Sequence, residues 1–256
     1  MLSTNYEENP KKYQIGIDEA GRGPLLGRVY AAAVILPNNH PDFHYEWMKD
    51  SKRFHSKKRI NEVANHIKEY AIAWSVNYET EETIDQINIL QATYSAMHKA
   101  IKDILVQAKN IRQNTEDTES TENTTNTEDS VYDDTLLMVD GRYFKSYTTF
   151  ENGEIVAYPH VCVEKGDGKY ANIAAASILA KTHRDNYIEE LCNKYPLLNS
   201  HYNIGSNKGY AAKVHMDGIH NYGICQFHRK TFKICNTAPE IYITPISPTE
   251  YHDEDK

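Results

Sequence analysis

Residues 13–36 read YQIGIDEAGRGPLLGRVYAAAVIL, and the order of features within them decides the fold. Tyr13 to Ile17 is a short apolar run of strand character, and Val29 to Leu36 is a second, with a glycine-rich connection between them. Two short strands joined in this way predict a hairpin entering the core. The first strand runs straight into an acidic pair, Asp18 and Glu19, followed by Gly21-Arg22-Gly23-Pro24-Leu25-Leu26-Gly27. A dinucleotide-binding GxGxxG loop needs glycine at 26, where Leu26 stands, and Pro24 interrupts the helix that such a loop opens. A nicotinamide-dependent oxidoreductase is therefore excluded. The loop instead offers backbone that a sugar–phosphate chain can approach closely, with Arg22 available for a phosphate.

Outward from this stretch, Lys57 to Tyr70 is helical in composition and Ala71 to Tyr78 alternates as a third strand. Ile84, Ile87, Leu90, Tyr94, Met97, Ile101 and Leu105 recur at helical spacing and predict a long amphipathic helix over Ile84 to Leu105. Leu136 to Val139 is a buried-strand run ending at Asp140-Gly141, and Ile155 to Val163 is a further strand. An Ala-rich helix follows over Tyr170 to Asn193, after which Pro196, Gly205 and Gly209 leave only short helices among loops. Strands first antiparallel, then alternating with helices, predict an α/β fold: a mixed sheet flanked by helices, with a helical C-terminal part.

The 256 residues carry 36 acidic against 28 basic side chains, a formal net charge of −8 that alone speaks against a generally basic nucleic-acid binder. The charge is unevenly placed. Gln113 to Asp134 holds eight acids and no Lys or Arg, a composition that predicts a disordered insertion. The last ten residues, SPTEYHDEDK, add a net −3, so the remainder of the chain stands at +3. No apolar run reaches the roughly 18 residues of a membrane span, so no membrane partner is expected. The N-terminus MLSTNYEENPKKY has no signal-peptide core, and a cytoplasmic, intracellular location is expected. Cys162, Cys192, Cys225 and Cys235 form no CxxC pair and are expected as reduced, mostly buried thiols. Among 19 tyrosines, several are available to stack on bases or sugars.

Asp18 and Glu19 immediately follow the first strand, Asp140 ends the fourth, and Asp167 follows the fifth in EKGDG. Strand ends in such sheets converge on sites. Carboxylates gathered there repel one another unless a cation neutralises them, and hard oxygen ligands suit Mg²⁺ or Mn²⁺.

GIDEAGRGPLLGRVYAAAVIL closely resembles the N-terminal signature of ribonuclease HII, the type 2 ribonuclease H family. The resemblance continues in order through KDSKR (Lys49 to Arg53), IDQINILQATYSAM (Ile84 to Met97), MVDGRYF (Met138 to Phe144) and KGD (Lys165 to Asp167). AAASILAKTHRD (Ala174 to Asp185), NKGY (Asn207 to Tyr210) and HRKTF (His228 to Phe232) complete it. It spans roughly 13–235, leaving residues 1–12 as an N-terminal extension, 113–134 as an insertion and 236–256 as a tail. GRG, rather than the glycine-lysine-glycine of ribonuclease HIII, favours the HII branch. Arg28, Phe54 and Asn207 depart from the family's commoner proline, leucine and histidine.

The resemblance implies a ribonuclease H-like fold and a metal-dependent endonuclease with two divalent ions, Mg²⁺ or Mn²⁺. It makes Asp18, Glu19, Asp140 and Asp167 the catalytic, metal-binding acids, Asp18 the one shared between the ions, and Asp185 an additional acidic candidate. Gly21, Arg22 and Gly23 match the loop that reads the ribonucleotide, and Tyr210 the tyrosine that packs on the neighbouring deoxyribose. Only a 2′-hydroxyl separates RNA from DNA at one position, so close backbone contact is needed to detect it. Lys52, Lys181, Arg184 and Lys208, with Arg53, Arg229 and Lys230, are expected along the phosphates, and His183 and His228 beside the metal or phosphates. The implied reaction is hydrolysis 5′ to a ribonucleotide, in an RNA–DNA hybrid or embedded in duplex DNA, by a monomer, leaving 3′-hydroxyl and 5′-phosphate ends. A non-cutting accessory subunit would not need all four acids, and a general metal-dependent nuclease would not need GRG and KGY.

Overall fold

The computed structural model describes residues 1–6, 11, 13–116, 134–151 and 153–246. They divide into two compact units. Unit 1 comprises Met1–Ala20, Tyr30–Tyr78 and Thr93–Thr182, and unit 2 comprises Gly21–Val29, Glu79–Ala92 and the chain from His183 onward.

The hairpin is β1 (Tyr13–Ala20) with β2 (Val29–Ile35), antiparallel with Gly16 opposite Val34 and Ala20 opposite Tyr30. Asp18 and Glu19 thus lie inside the end of β1 rather than after it. β3 (Ala73–Glu79) borders β2, and β4 (Thr135–Asp140) runs parallel to β1. The strand expected over Ile155 to Val163 is two. β5 (Thr148–Glu151) and β6 (Glu154–Ala157) form a separate two-stranded ribbon, and β7 (His160–Val163) joins the main sheet parallel to β4. Pro159, which has no N–H for a ladder, separates them. The five-stranded order is β3-β2-β1-β4-β7.

β2 is buried on both faces, and its alternation sorts two cores. Ala31, Ala33 and Ile35, with Ile15, Ile17, Leu137 and Val139, meet Ala96, Met97, Ala100, Ile101 and Ile104 of α2 (Glu81–Glu116). Ala32 and Val34 belong to a second core with Ile60, Val63 and Ile67 of α1 (Lys57–Tyr70) and the alanine-rich start of α3 (Ala171–Lys194). α2 is longer than expected and is broken at Asn88, whose φ is 66° and whose Oδ1 accepts from the amides of Leu90 and Gln91, an N-cap inside the run. Its last residues extend into the acidic segment; 117–133, where the disordered insertion is expected, lie outside the described residues.

Unit 2 supplies the helical C-terminal part. α4 (Leu197–Tyr202), α5 (Ile204–Asn207) and α6 (Lys213–Tyr222) enclose Leu25, Leu26, Ile188, Leu198, Ile204 and Ile219. The first part of the tail packs here too: Ile243 is buried, and Gln226 exchanges hydrogen bonds with its backbone. All four cysteines are free thiols, and burial pushes Cys192 and Cys235 up to about 11 and Cys225 to about 12. Among the described residues no helix is long and apolar enough to cross a membrane.

Candidate active site

Three parallel strands bring the acids of unit 1 to one edge. Ile17 of β1 lies opposite Val139 of β4, and Asp140 lies opposite Val163 of β7, so the C-terminal ends of all three strands align. After β7, Lys165 adopts φ 54° and the chain turns through a single 3-10 turn, Gly166–Gly168, that carries Asp167. The Gly166 amide donates to Asp140 Oδ1 at 2.6 Å, which joins this turn to the end of β4. A side chain at Gly166 would meet Ile173 at 2.6 Å and Asp140 Oδ1 at 3.3 Å, so only glycine lets the turn close so tightly.

Asp18 is 5% exposed. Burial first, then the charges of Glu19 and Asp140, push its carboxyl well above the usual range, although Ser177 and the Glu19 amide hydrogen-bond to it. Asp167 is raised by burial, then by the charges of Asp50 and Asp140, with Lys52 opposing them. Lys52 is pulled down by burial, but Asp50, Asp167, Asp18 and Asp140 together hold it above its ordinary value. The four expected acids are thus electrostatically one group. Asp50 and Ser177 join them unforeseen, although Asp50 sits inside the KDSKR block and Ser177 is a lone hydroxyl within AAASILAK.

Among the described residues no three His, Cys, Asp or Glu side chains stand as a ready-made cage for one ion. The donor set nevertheless suits Mg²⁺ or Mn²⁺. Its acids are hard oxygen ligands that repel one another, and Mg²⁺ is held by one or two carboxylates with water and substrate phosphates rather than by an all-protein cage.

In unit 2 the Gly21–Arg28 loop presents Arg22 and Gly23 at the surface while Gly21 and Pro24 to Gly27 are buried. Gly21 has φ +93°, and a side chain there would meet Arg184 at 2.4 Å. Tyr210 is 51% exposed, and a side chain at Gly23 would come within 3.5 Å of its ring. The expected phosphate contacts divide. Lys181 is half-buried, and Lys208 pairs with Glu189 at 3.3 Å. Arg184 is turned inward, 2% exposed, and donates to the Lys208 carbonyl at 2.7 Å, so it holds the backbone rather than presenting a free charge. Arg229 and His228 are also fully buried, which removes both from a phosphate track. Asp185 stands 3.9 Å from Arg184. Lys230 pairs with Glu240 at 2.6 Å.

The family model of ribonuclease HII matches residues 15–235. A ribonuclease HII of Phocaeicola vulgatus is 39% identical over 237 residues, covering 92% of this chain and 96% of its own length. The ribonuclease HII in a complex with PCNA from Archaeoglobus fulgidus superposes with a TM-score of 0.56 at 22% identity, over 86% of this chain and 95% of that one. A ribonuclease HIII solved in complex with Mn²⁺ gives a TM-score of 0.57 at 15% identity, over 88% and 68%. These two structures show the shared fold, and the family match with the Phocaeicola relative goes further: the chain belongs to the ribonuclease HII family and is a nuclease.

Proposed function

We propose that the chain hydrolyses the phosphodiester on the 5′ side of a ribonucleotide, in RNA–DNA hybrids and at ribonucleotides embedded in duplex DNA, leaving 3′-hydroxyl and 5′-phosphate ends. The observation that carries this reading is the group of Asp18, Glu19, Asp140 and Asp167 at the ends of parallel strands, in which Asp18 and Asp167 are buried and raised in part by neighbouring acids. Two divalent ions, Mg²⁺ or Mn²⁺, bound there would supply an activated water and neutralise charge on the leaving oxygen. Asp18, Glu19, Asp140 and Asp167 would hold the ions, with Asp18 central among them, since it is the most buried of the group and feels both Glu19 and Asp140.

The remaining residues bind and orient. Arg22 and Gly23 approach the ribonucleotide, Tyr210 packs on the neighbouring deoxyribose, and Lys52, Lys181 and Lys208 line the phosphates. The chain acts as a monomer. The test is cleavage of a DNA duplex with one ribonucleotide, with Mg²⁺ or Mn²⁺ added and product ends mapped. A single cut 5′ to the ribonucleotide is expected. An all-DNA duplex cut as readily, or no cut with either ion, overturns the reading.

A further inference from the structure

His228 and Arg229 are consecutive residues of unit 2, and both side chains are sealed from solvent, 1% and 0% exposed. A guanidinium has five N–H donors in a rigid fork. Arg229 spends all of them on one loop. Nε donates to the Gly27 carbonyl at 2.8 Å, Nη1 to Arg22 at 2.9 Å and Pro24 at 2.8 Å, and Nη2 to Gly21 at 2.5 Å and Arg28 at 3.3 Å. The whole GRGPLLGR turn is therefore wrapped around one side chain from the far end of the sequence.

His228 faces the other way. The Cys225 amide donates to its Nδ1 at 3.0 Å, so that nitrogen carries no proton and Nε2 does. His228 Nε2 lies 3.0 Å from His215 Nε2, and His215 Nδ1 lies 2.9 Å from the Tyr210 carbonyl. A carbonyl only accepts, so His215 is protonated at Nδ1 and receives the His228 proton at Nε2. Read from either end, the tautomers agree, and the chain runs in one direction from Cys225 to Tyr210. A second N–H would face the His228 N–H at His215 Nε2, and at His228 Nδ1 it would displace the Cys225 amide and leave only the Cys225 sulfur, 3.2 Å away, as an acceptor. Burial, followed for His228 by His215 itself, holds both rings in the neutral form. The backbone ties the two arms together: Leu25 N–H donates to the Gly209 carbonyl and Arg229 N–H to the Leu25 carbonyl, each at 2.8 Å.

We propose that His228 and Arg229 form one positioning device that sets the Gly21–Arg28 loop against Tyr210 and so determines which sugar junction the enzyme accepts. This rests on the substrate reading proposed above. The two arms then differ in what they govern. The loop meets the ribonucleotide in every substrate, whereas a ring packed on a neighbouring deoxyribose matters only where RNA gives way to DNA.

The experiment compares kcat and KM on a DNA duplex with one embedded ribonucleotide and on a uniform RNA–DNA hybrid. Arg229→Lys, whose ammonium cannot reach five carbonyls, is expected to lower kcat on both by about tenfold or more. His215→Ala is expected to lower kcat by a similar factor on the embedded ribonucleotide only, with the hybrid within about twofold. His215→Asn, whose side-chain amide replaces the Nδ1 donor, restores the loss. Equal losses on both substrates for His215→Ala, or no loss for either variant, overturn the proposal. The wild-type chain provides a test independent of how any variant folds: ¹⁵N imidazole spectra near neutral pH are expected to show His228 protonated at Nε2 alone and His215 at Nδ1 alone. Reversed or doubly protonated rings overturn the device. Wild-type protein that shows these tautomers but does not cut at a ribonucleotide refutes the functional reading and leaves the hydrogen-bonded device standing.

Discussion

The two units bury charge in opposite ways. At the strand ends of unit 1, Asp18 and Asp167 are withdrawn from water and surrounded chiefly by other acids, so both carboxyls are pushed up. In unit 2, Arg229 is withdrawn as completely, but every donor has a carbonyl, and the neighbouring histidines share a single ordered chain of protons. Buried charge left in repulsion marks a candidate site; buried charge fully partnered holds the fold together. Burial alone does not separate the two. Their partners do.

The largest expected effect is at the repelling group. Asp18→Asn should reduce cleavage by about a thousandfold or more while leaving the metal-free thermal midpoint unchanged or raised, since it removes a repelling acid. Near wild-type turnover would remove Asp18 from the chemistry. Arg229→Met should do the converse. Stripping five carbonyls of their donor is expected to lower stability by about 3–5 kcal/mol in urea unfolding, and a loss below about 1 kcal/mol would show that the clamp is not scaffold. Gly166→Ala tests the seam between Asp140 and Asp167: its new methyl would press on Ile173, with an expected loss of about 1–3 kcal/mol and a lower kcat.

The smallest effect is in pH dependence, and its two halves oppose. Asp18 and Asp167 are raised in the folded state, so the folded chain holds their protons more tightly than the unfolded one. Their contribution is fully present below the ordinary carboxylate value of 3.8 and is lost as pH rises through the folded values. His228 is lowered from 6.5 to about 3, so its contribution is present above 6.5 and is lost as pH falls toward 3. Added Mg²⁺ or Mn²⁺ should therefore raise the thermal midpoint more at about pH 8 than at about pH 5, where protons compete for the acids. A metal-induced shift that is the same at both pH values would contradict carboxylate ligation.

What the sequence made legible is what is local within it. An apolar run ending in two acids, and another ending in Asp140, can be read without knowing what lies beside them, and the parallel register of β1 and β4 puts those ends together. The β5–β6 ribbon was hidden because Ile155 to Val163 alternates well enough for one strand across Pro159. The break at Asn88 was hidden because apolar spacing continues through it. The sequence places Arg184 and Arg229 along the phosphates because their carbonyl acceptors are remote: Lys208 lies 24 positions from Arg184 and Gly21 208 from Arg229. Composition gives a charge, but only the fold says whether it meets water, a phosphate or a carbonyl.

The buried thiols described with the fold turn unit 2 into its own clock. Cys192, Cys225 and Cys235 are all sealed in its core and held at about 11 to 12 by burial, so in the closed protein almost none is present as thiolate. A thiol reagent reaches them only when that core opens. The rate at which they are labelled in the native enzyme, with and without a ribonucleotide-containing duplex added, therefore counts the openings of the part of the chain that holds the Gly21–Arg28 loop.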